Sequence, residues 1–163
     1  ILGPVSDIIS YSQTTFQVRS VDSAEVKYKN IDVDVDTHYL ALLKFKSGVV
    51  VDFEISFDIW KPYEPKLEFY GTLSSIKFAD PNNYDGDVSI FDKKSYQWEK
   101  VHSSTNDENN YYRGLGVINM VKSINGNNIS QDEILLPFHV LEVMCALETY
   151  DGYGRWEKIN QQF

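Results

Sequence analysis

The alternation of apolar and polar positions is clearest over residues 38–57, HYLALLKFKSGVVVDFEISF. Tyr39, Ala41, Leu43 and Phe45 alternate along the first half, and Val49, Val51, Phe53, Ile55 and Phe57 along the second. A period of two is that of a strand with one buried face, so two strands are predicted, joined across Lys46-Ser47-Gly48. A two-residue turn would pair Phe45 with Val50 and mix the faces. A three-residue loop pairs Phe45 with Val49, Leu43 with Val51 and Ala41 with Phe53, which puts every odd-numbered residue on one face. Gly48 then takes the left-handed position such a loop needs. A slip of one residue would turn all these side chains to the wrong face, so the register is firmly specified. The even-numbered face carries Lys44, Lys46, Asp52, Glu54 and Ser56, but also Leu40, Leu42 and Val50. An apolar patch on the second face of a central hairpin points to a cover, supplied by another domain or another subunit.

Around this hairpin the pattern predicts further strands. Residues 5–19 read as one long edge-type strand bent among Ser10, Ser12 and Gln13, and residues 20–30 as a polar connection. Residues 31–36, IDVDVD, alternate strictly and lead into the hairpin, with the three aspartates on a solvated face. Pro62 and Pro65 exclude a central strand over 58–65, which is read as a loop. Residues 66–70 and 75–78 form a strand pair about Gly71, and residues 88–91 and 96–101 a second pair about Asp92-Lys93-Lys94. The period then becomes helical. Val117, Ile118, Val121 and Ile124 predict a helix over 112–124, closed by Gly126 as a left-handed cap. Ser130-x-x-Glu133 resembles a capping box, yet Pro137 would break a hydrogen bond of a helix begun there. The main helix is therefore placed from near Pro137 to about Tyr150, with Phe138, Leu141, Met144, Cys145 and Leu147 inward. A last strand is expected over 156–159. Strands first and helices late indicate an α+β class: a predominantly antiparallel open sheet with helices packed on one face.

Composition adds bounds. A chain of 163 residues, 42 % hydrophobic and 24 % charged, fits a single globular domain of residues 1–163. The net charge of -9 argues against nucleic acid or an anionic membrane as partner. Cys145 is the single cysteine, so no internal disulfide is possible, which agrees with a cytoplasmic location. The longest mostly apolar run, residues 134–147, is too short to span a bilayer. The chain opens on Ile1 rather than Met and reads as part of a longer protein.

Candidate chemistry is sparse. His38, His102 and His139 are scattered, without metal-ligand spacing, and His38 and His139 read as hydrogen-bonded structural residues. No nucleophile elbow, P-loop or zinc-protease motif is present. Gly114-Leu115-Gly116 lacks the third glycine and the preceding strand of a dinucleotide fingerprint. Tyr112-Arg113-Gly114, at a helix start, is either an anion or hydroxyl contact or a surface turn. Trp60, in a proline-bounded loop, is either a stacking platform for a sugar or a cover for the sheet. No catalytic set and no metal site are expected in this chain. Trp60 and Arg113 are the candidate substrate contacts.

The ordered motifs carry a resemblance. Leu2-Gly3-Pro4-Val5, Asp36-Thr37-His38, Phe45-x-Ser47-Gly48, Ser56-Phe57-Asp58-Ile59-Trp60 and Leu67-Glu68-Phe69-Tyr70-Gly71-Thr72 stand in this order along the chain. Asp80-Pro81-Asn82, Arg113-Gly114-Leu115-Gly116 and residues 138–144, FHVLEVM, follow them. Together they resemble the C-terminal domain of the glucose–fructose oxidoreductase / inositol dehydrogenase (Gfo/Idh/MocA) family, over nearly the whole chain. The resemblance implies a full-length NAD(P)-dependent oxidoreductase in which an N-terminal Rossmann domain, upstream of Ile1, holds NAD or NADP. That domain would also carry the E-K-P lysine, and a D-x-x-x-H motif would fall between it and the G-P-V stretch. The present domain would shape the pocket for a sugar, inositol or related polyol and build a homo-oligomer through its open sheet face. It would bind no cofactor and be inactive alone. Two departures stand out. Residues 70–75 read Y-G-T-L-S-S where the family has Y-G-T-E-G-S, and residues 126–130, G-N-N-I-S, lack the basic groups often found there. The alternative reading is a non-enzymatic binding or assembly module that keeps the same fold. A hydrolase built on His38 or His139 ranks last, because no nucleophile stands with a base.

Overall fold

The computed structural model describes residues 2–21, 29–61, 67–81, 86–101, 114–126, 131–149 and 156–160. Ten strands and two helices form among them, and every strand pairing is antiparallel. The α+β class is therefore as expected. The pairing divides into three sheets rather than one, and the chain groups into two units, Ile1–Trp60 with Ile129–Phe163, and Lys61–Asn128.

In the first unit, β1 (Val5–Gln13), β4 (His38–Phe45), β5 (Val50–Ser56) and β10 (Glu157–Lys158) form a sheet in the order β10-β1-β4-β5. The hairpin has the expected register: Leu43 opposes Val51 and Ala41 opposes Phe53. Its loop is closed by Phe45 N–H donating to the Val49 carbonyl at 2.8 Å, and Gly48 has φ +86°. The helix α2 (Gln131–Leu147) packs on β1. The core between them holds Val5, Ile8, Ala41, Leu43, Ala146, Leu147 and Ile159, with Tyr39, Phe45, Val51, Phe53 and Val143 at its margin. Val5 and Ile8 have opposite parity yet share this core. A bulge between Val5 and Asp7 adds the extra residue that changes the phase. There Ser6 Oγ donates to the Lys44 carbonyl at 3.0 Å.

Several sequence expectations are corrected in this unit. Residues 5–19 are not one edge strand. β1 ends at Gln13, lies inside its sheet, and β2 (Val18–Val21) pairs instead with β3 (Lys29–Asp32). Between β1 and β2, Thr14 Oγ1 donates to Asp36 Oδ1 at 2.8 Å, so a side chain takes over from the ladder. The alternating run 31–36 stays in a strand only to Asp32, and Asp32 and Asp34 are exposed, as a solvated face requires. The odd face is buried in its middle, whereas Val49, Ile55 and Phe57 near its ends are exposed. α2 starts before Pro137 and carries that proline inside. Its buried stripe is His139, Val143, Ala146 and Leu147, while Phe138, Leu141, Met144 and Cys145 face outward. A run that is apolar on all sides holds no information about its helical phase, which is why the inward face was misassigned. The proposed capping serine, Ser130, lies outside the described residues.

In the second unit, β6 (Glu68–Tyr70), β7 (Ser75–Lys77), β8 (Val88–Asp92) and β9 (Gln97–Val101) form a sheet in chain order. Gly71 N–H donates to the Ser74 carbonyl at 2.9 Å, which closes the turn where the sequence departs from Y-G-T-E-G-S. Phe91 meets Tyr96 and Trp98 edge-on, and Lys77 Nζ lies 3.9 Å over the Trp98 ring. The Asp92 carboxylate accepts from the Lys94 and Ser95 amides across the turn. The Ser95 amide above all holds that carboxyl below the usual range. The helix α1 (Leu115–Asn125) leaves Val117, Ile118, Val121 and Ile124 exposed. Its closing Gly126 has φ -84°, right-handed rather than left-handed, and its N–H reaches the Lys122 carbonyl at 2.9 Å.

Candidate functional site

A polar cluster lies where β4 begins and β5 ends, at the pair His38–Ser56. Thr37 N–H donates to the Gln13 carbonyl at 3.0 Å, and Phe57 N–H to the Thr37 carbonyl at 2.9 Å. The chain beyond β5 is thereby kept beside the exit of β1. Asp58 is the centre of the cluster. Its Oδ2 accepts from Thr15 Oγ1 at 2.7 Å and from Thr37 Oγ1 at 2.8 Å, and its Oδ1 pairs with the Arg19 guanidinium. Its own N–H donates to Ser56 Oγ at 3.0 Å. Arg19 also donates to the Phe57 carbonyl at 3.4 Å and lies 5.6 Å from the Phe16 ring centre. The Thr15 hydrogen bond first, then that of Thr37 and the Arg19 charge, hold the Asp58 carboxyl below the usual range against the effect of its burial. The Asp58 side chain keeps only 12 % of its surface and Thr37 is 4 % exposed.

From this buried knot the chain turns outward. Phe57 is 77 % exposed and Trp60 fully so, with Ile59 partly exposed between them. The polar knot thus lies beneath outward aromatics. Nothing in it supplies a nucleophile–base pair. Trp60, named from the sequence, stands at this site, while Arg113 lies outside the described residues, as does His102. Arg19, Asp58, Thr15 and Thr37 were not singled out as a cluster, because they come from four segments that only the pairing of β1, β4 and β5 brings together. The sequence signals were the aspartate inside S-F-D-I-W and the threonine inside D-T-H.

Elsewhere, His139 on α2 is buried, and its Nε2 accepts the Val5 N–H at 3.0 Å, the structural part expected of it. A groove of about 440 Å³ in the second unit is lined by Leu73, Phe91, Lys93, Lys94 and Lys100. Lys93 is already engaged with the Thr72 carbonyl and Lys100 with Asp87. Among the described residues no three His, Cys, Asp or Glu side chains converge as a metal site would require. Gly114 caps α1 with a right-handed φ of -82°.

Comparison with known proteins places the chain among similar folds. Residues 3–77, just under half of the chain, match the family model of the GFO/IDH/MocA C-terminal domain. Over that stretch the match agrees with the resemblance read from the sequence. No curated protein matches the chain. Among solved structures, levoglucosan dehydrogenase in complex with NADH and L-sorbose is similar in fold, at TM-score 0.74 and 15 % identity. The match covers 97 % of this chain and 46 % of that one. An NAD-binding oxidoreductase from Klebsiella pneumoniae matches at TM-score 0.71 and 15 % identity, over 98 % of this chain and 46 % of that one. An oxidoreductase domain protein from Kribbella flavida matches at 0.66 and 17 %, over 96 % and 44 %. The chain thus spans a little under half the length of these relatives. No helix of the described residues is long and apolar enough to cross a membrane.

Proposed function

We propose that this chain is the C-terminal domain of an NAD(P)-dependent oxidoreductase that transfers hydride to or from a sugar, inositol or related polyol. In this reading it shapes the substrate pocket and the oligomer, while the dinucleotide and the catalytic lysine belong to a Rossmann domain of the full-length protein. The observation that carries the reading is the family match over residues 3–77, continued as likeness of fold along the rest of the chain. The pairing of a stacking surface at Trp60 with an absence of catalytic pairs at the candidate site is what such a division of labour requires. In this reading the site receives a hydroxylated ring, and the hydride-transfer chemistry belongs to the Rossmann domain.

The test is turnover by the full-length protein, followed as NAD(P)H absorbance with a panel of sugars, inositols and linear polyols. Oxidation of at least one cyclic polyol, with kcat/KM well above that for simple alcohols, is the expected result. Absence of turnover with every member and both cofactors would favour the non-enzymatic binding module. The isolated chain is expected to give no saturable calorimetric signal with NAD(H) or NADP(H) at micromolar concentration.

A further inference from the structure

We propose that Asp58 is a positioning residue for substrate recognition: it fixes the segment that presents Trp60, and Trp60 takes the apolar C–H face of a cyclic polyol. This deepens the reading above and rests on it. Three observations carry it. First, the segment 56–58 is fixed at more points than a strand end needs. The Asp58 carboxylate engages Thr15, Thr37 and Arg19, and the backbone of Phe57 is held on both sides, its N–H by the Thr37 carbonyl and its carbonyl by Arg19. Those partners come from the turn after β1, from β2 and from the start of β4, so a displacement of any of them would be felt at residue 58.

Second, what this anchoring presents is apolar and exposed. Strand alternation assigns Phe57 to the core, yet it is 77 % exposed, and Trp60 two residues beyond Asp58 is entirely so. An aromatic side chain left in water costs free energy that burial would recover, so two exposed aromatics on and just beyond the anchored segment 56–58 fit a surface that a ligand covers. An indole face matches the C–H face of a sugar or cyclitol ring, whereas a linear polyol offers no such flat face. Third, the knot is left incomplete at one atom. Arg19 Nε is buried with no hydrogen-bond partner, a cost that a purely structural clasp has no reason to keep. Binding sites commonly rest on such supporting shells, because a contact that is loose by an ångström loses its affinity.

The experiment uses the full-length protein with a cyclic and a linear polyol. Trp60→Ala is expected to raise KM for the cyclic substrate about tenfold, the order that stacking contacts reach, with kcat within twofold and KM for the dinucleotide unchanged. Asp58→Asn removes the charge that pairs with Arg19 and should reproduce that pattern more weakly, about three- to fivefold in KM. Thr37→Ser keeps the hydroxyl and should behave as the parent, whereas Thr37→Val should resemble Asp58→Asn. The deciding measurement is the double variant. If Asp58 acts through Trp60, then Asp58→Asn has no further effect on KM once Trp60 is alanine. Additive losses, or a fall in Tm with unchanged KM, overturn the proposal. Fluorine NMR of fluorotryptophan-labelled protein gives a readout independent of turnover, with the Trp60 resonance identified by its loss in Trp60→Phe. Asp58→Asn should broaden or split that resonance, and an unaltered line overturns the positioning role even where no polyol is turned over. Conversely, a mobile Trp60 in Asp58→Asn together with no turnover by the parent would fault the reading of the whole protein and leave the mechanical link standing.

Discussion

At the scale of single residues, the fold depends on a few side chains that finish what the ladders leave undone. His139 is the clearest. Its ring accepts the N–H of Val5, the first residue of β1, from a helix more than a hundred positions away in sequence. His139→Ala would leave that buried amide without its acceptor and open a cavity, a loss of about 1–3 kcal/mol. His139→Gln retains an acceptor and should lose less; chemical denaturation of the two variants measures the difference. Phe53 sits at the margin of the core on the odd face, opposite Ala41. Phe53→Asp should cost at least about 3 kcal/mol, by lost burial and a charge set against apolar neighbours, and a melting temperature within a few degrees of the parent would contradict the register. Asp58 adds a dependence on pH. Its folded pKa is lowered, so its contribution is fully present above the ordinary carboxylate range near ~4 and is lost as pH falls through the lower folded value. Asp58→Asn should flatten the acid limb of a stability–pH profile below that range.

At the scale of elements, what the sequence made legible follows from where one face is polar. The hairpin of β4 and β5 alternates between core and solvent, so its register and its three-residue loop could be read from the sequence alone. Gly48, at φ +86° with open space around it, confirms the loop. Gly48→Ala meets no atom, so its cost is one of backbone conformation alone, about 1 kcal/mol, and a denaturation midpoint equal to the parent's would contradict this. α2 is the opposite case. From Leu135 to Leu147 Glu142 is its one charged residue, and the buried stripe through His139 could not be told from the outward one through Phe138 and Met144. Pro137 reads as a start signal because proline removes a helix hydrogen bond. The packing of the turns after it holds the helix through that loss. The candidate site was half legible. Trp60 could be named because a tryptophan beside prolines stands out in a loop. The clasp beneath it depends on Thr15, Arg19 and Thr37, which are distant in sequence and meet Asp58 only once the strands have paired.

At the scale of the whole molecule, the outer face of the β10-β1-β4-β5 sheet argues for self-association. Leu40, Leu42 and Val50 are 42 %, 42 % and 56 % exposed there, on the face opposite α2. Tyr11 of β1 stands beside Leu40, and Ile9 beside Leu42. An antiparallel sheet facing water would carry polar groups at these alternate positions. Here the polar ones, Lys44, Asp52 and Glu54, share the face with the apolar centre, the composition of an interface core with its rim. We propose that two copies meet through this face across a two-fold axis. One patch is then used twice, so a single substitution damages both halves of the contact. Leu42→Lys places a charge at the centre of the patch without touching the core, since Leu43 and Ala41 on either side point inward. It should weaken association while leaving the melting temperature of the separated protomer nearly unchanged. Light scattering during size exclusion measures this directly: a dimer or higher mass is expected for the parent and a lower mass for the variant. A monomer of the parent at about 100 µM would overturn the proposal, because an interface of standard size holds well below that concentration. Such a result would transfer the cover of this face to the Rossmann domain proposed for the full-length protein, where Leu42→Lys would then lower the stability of one chain instead of separating two.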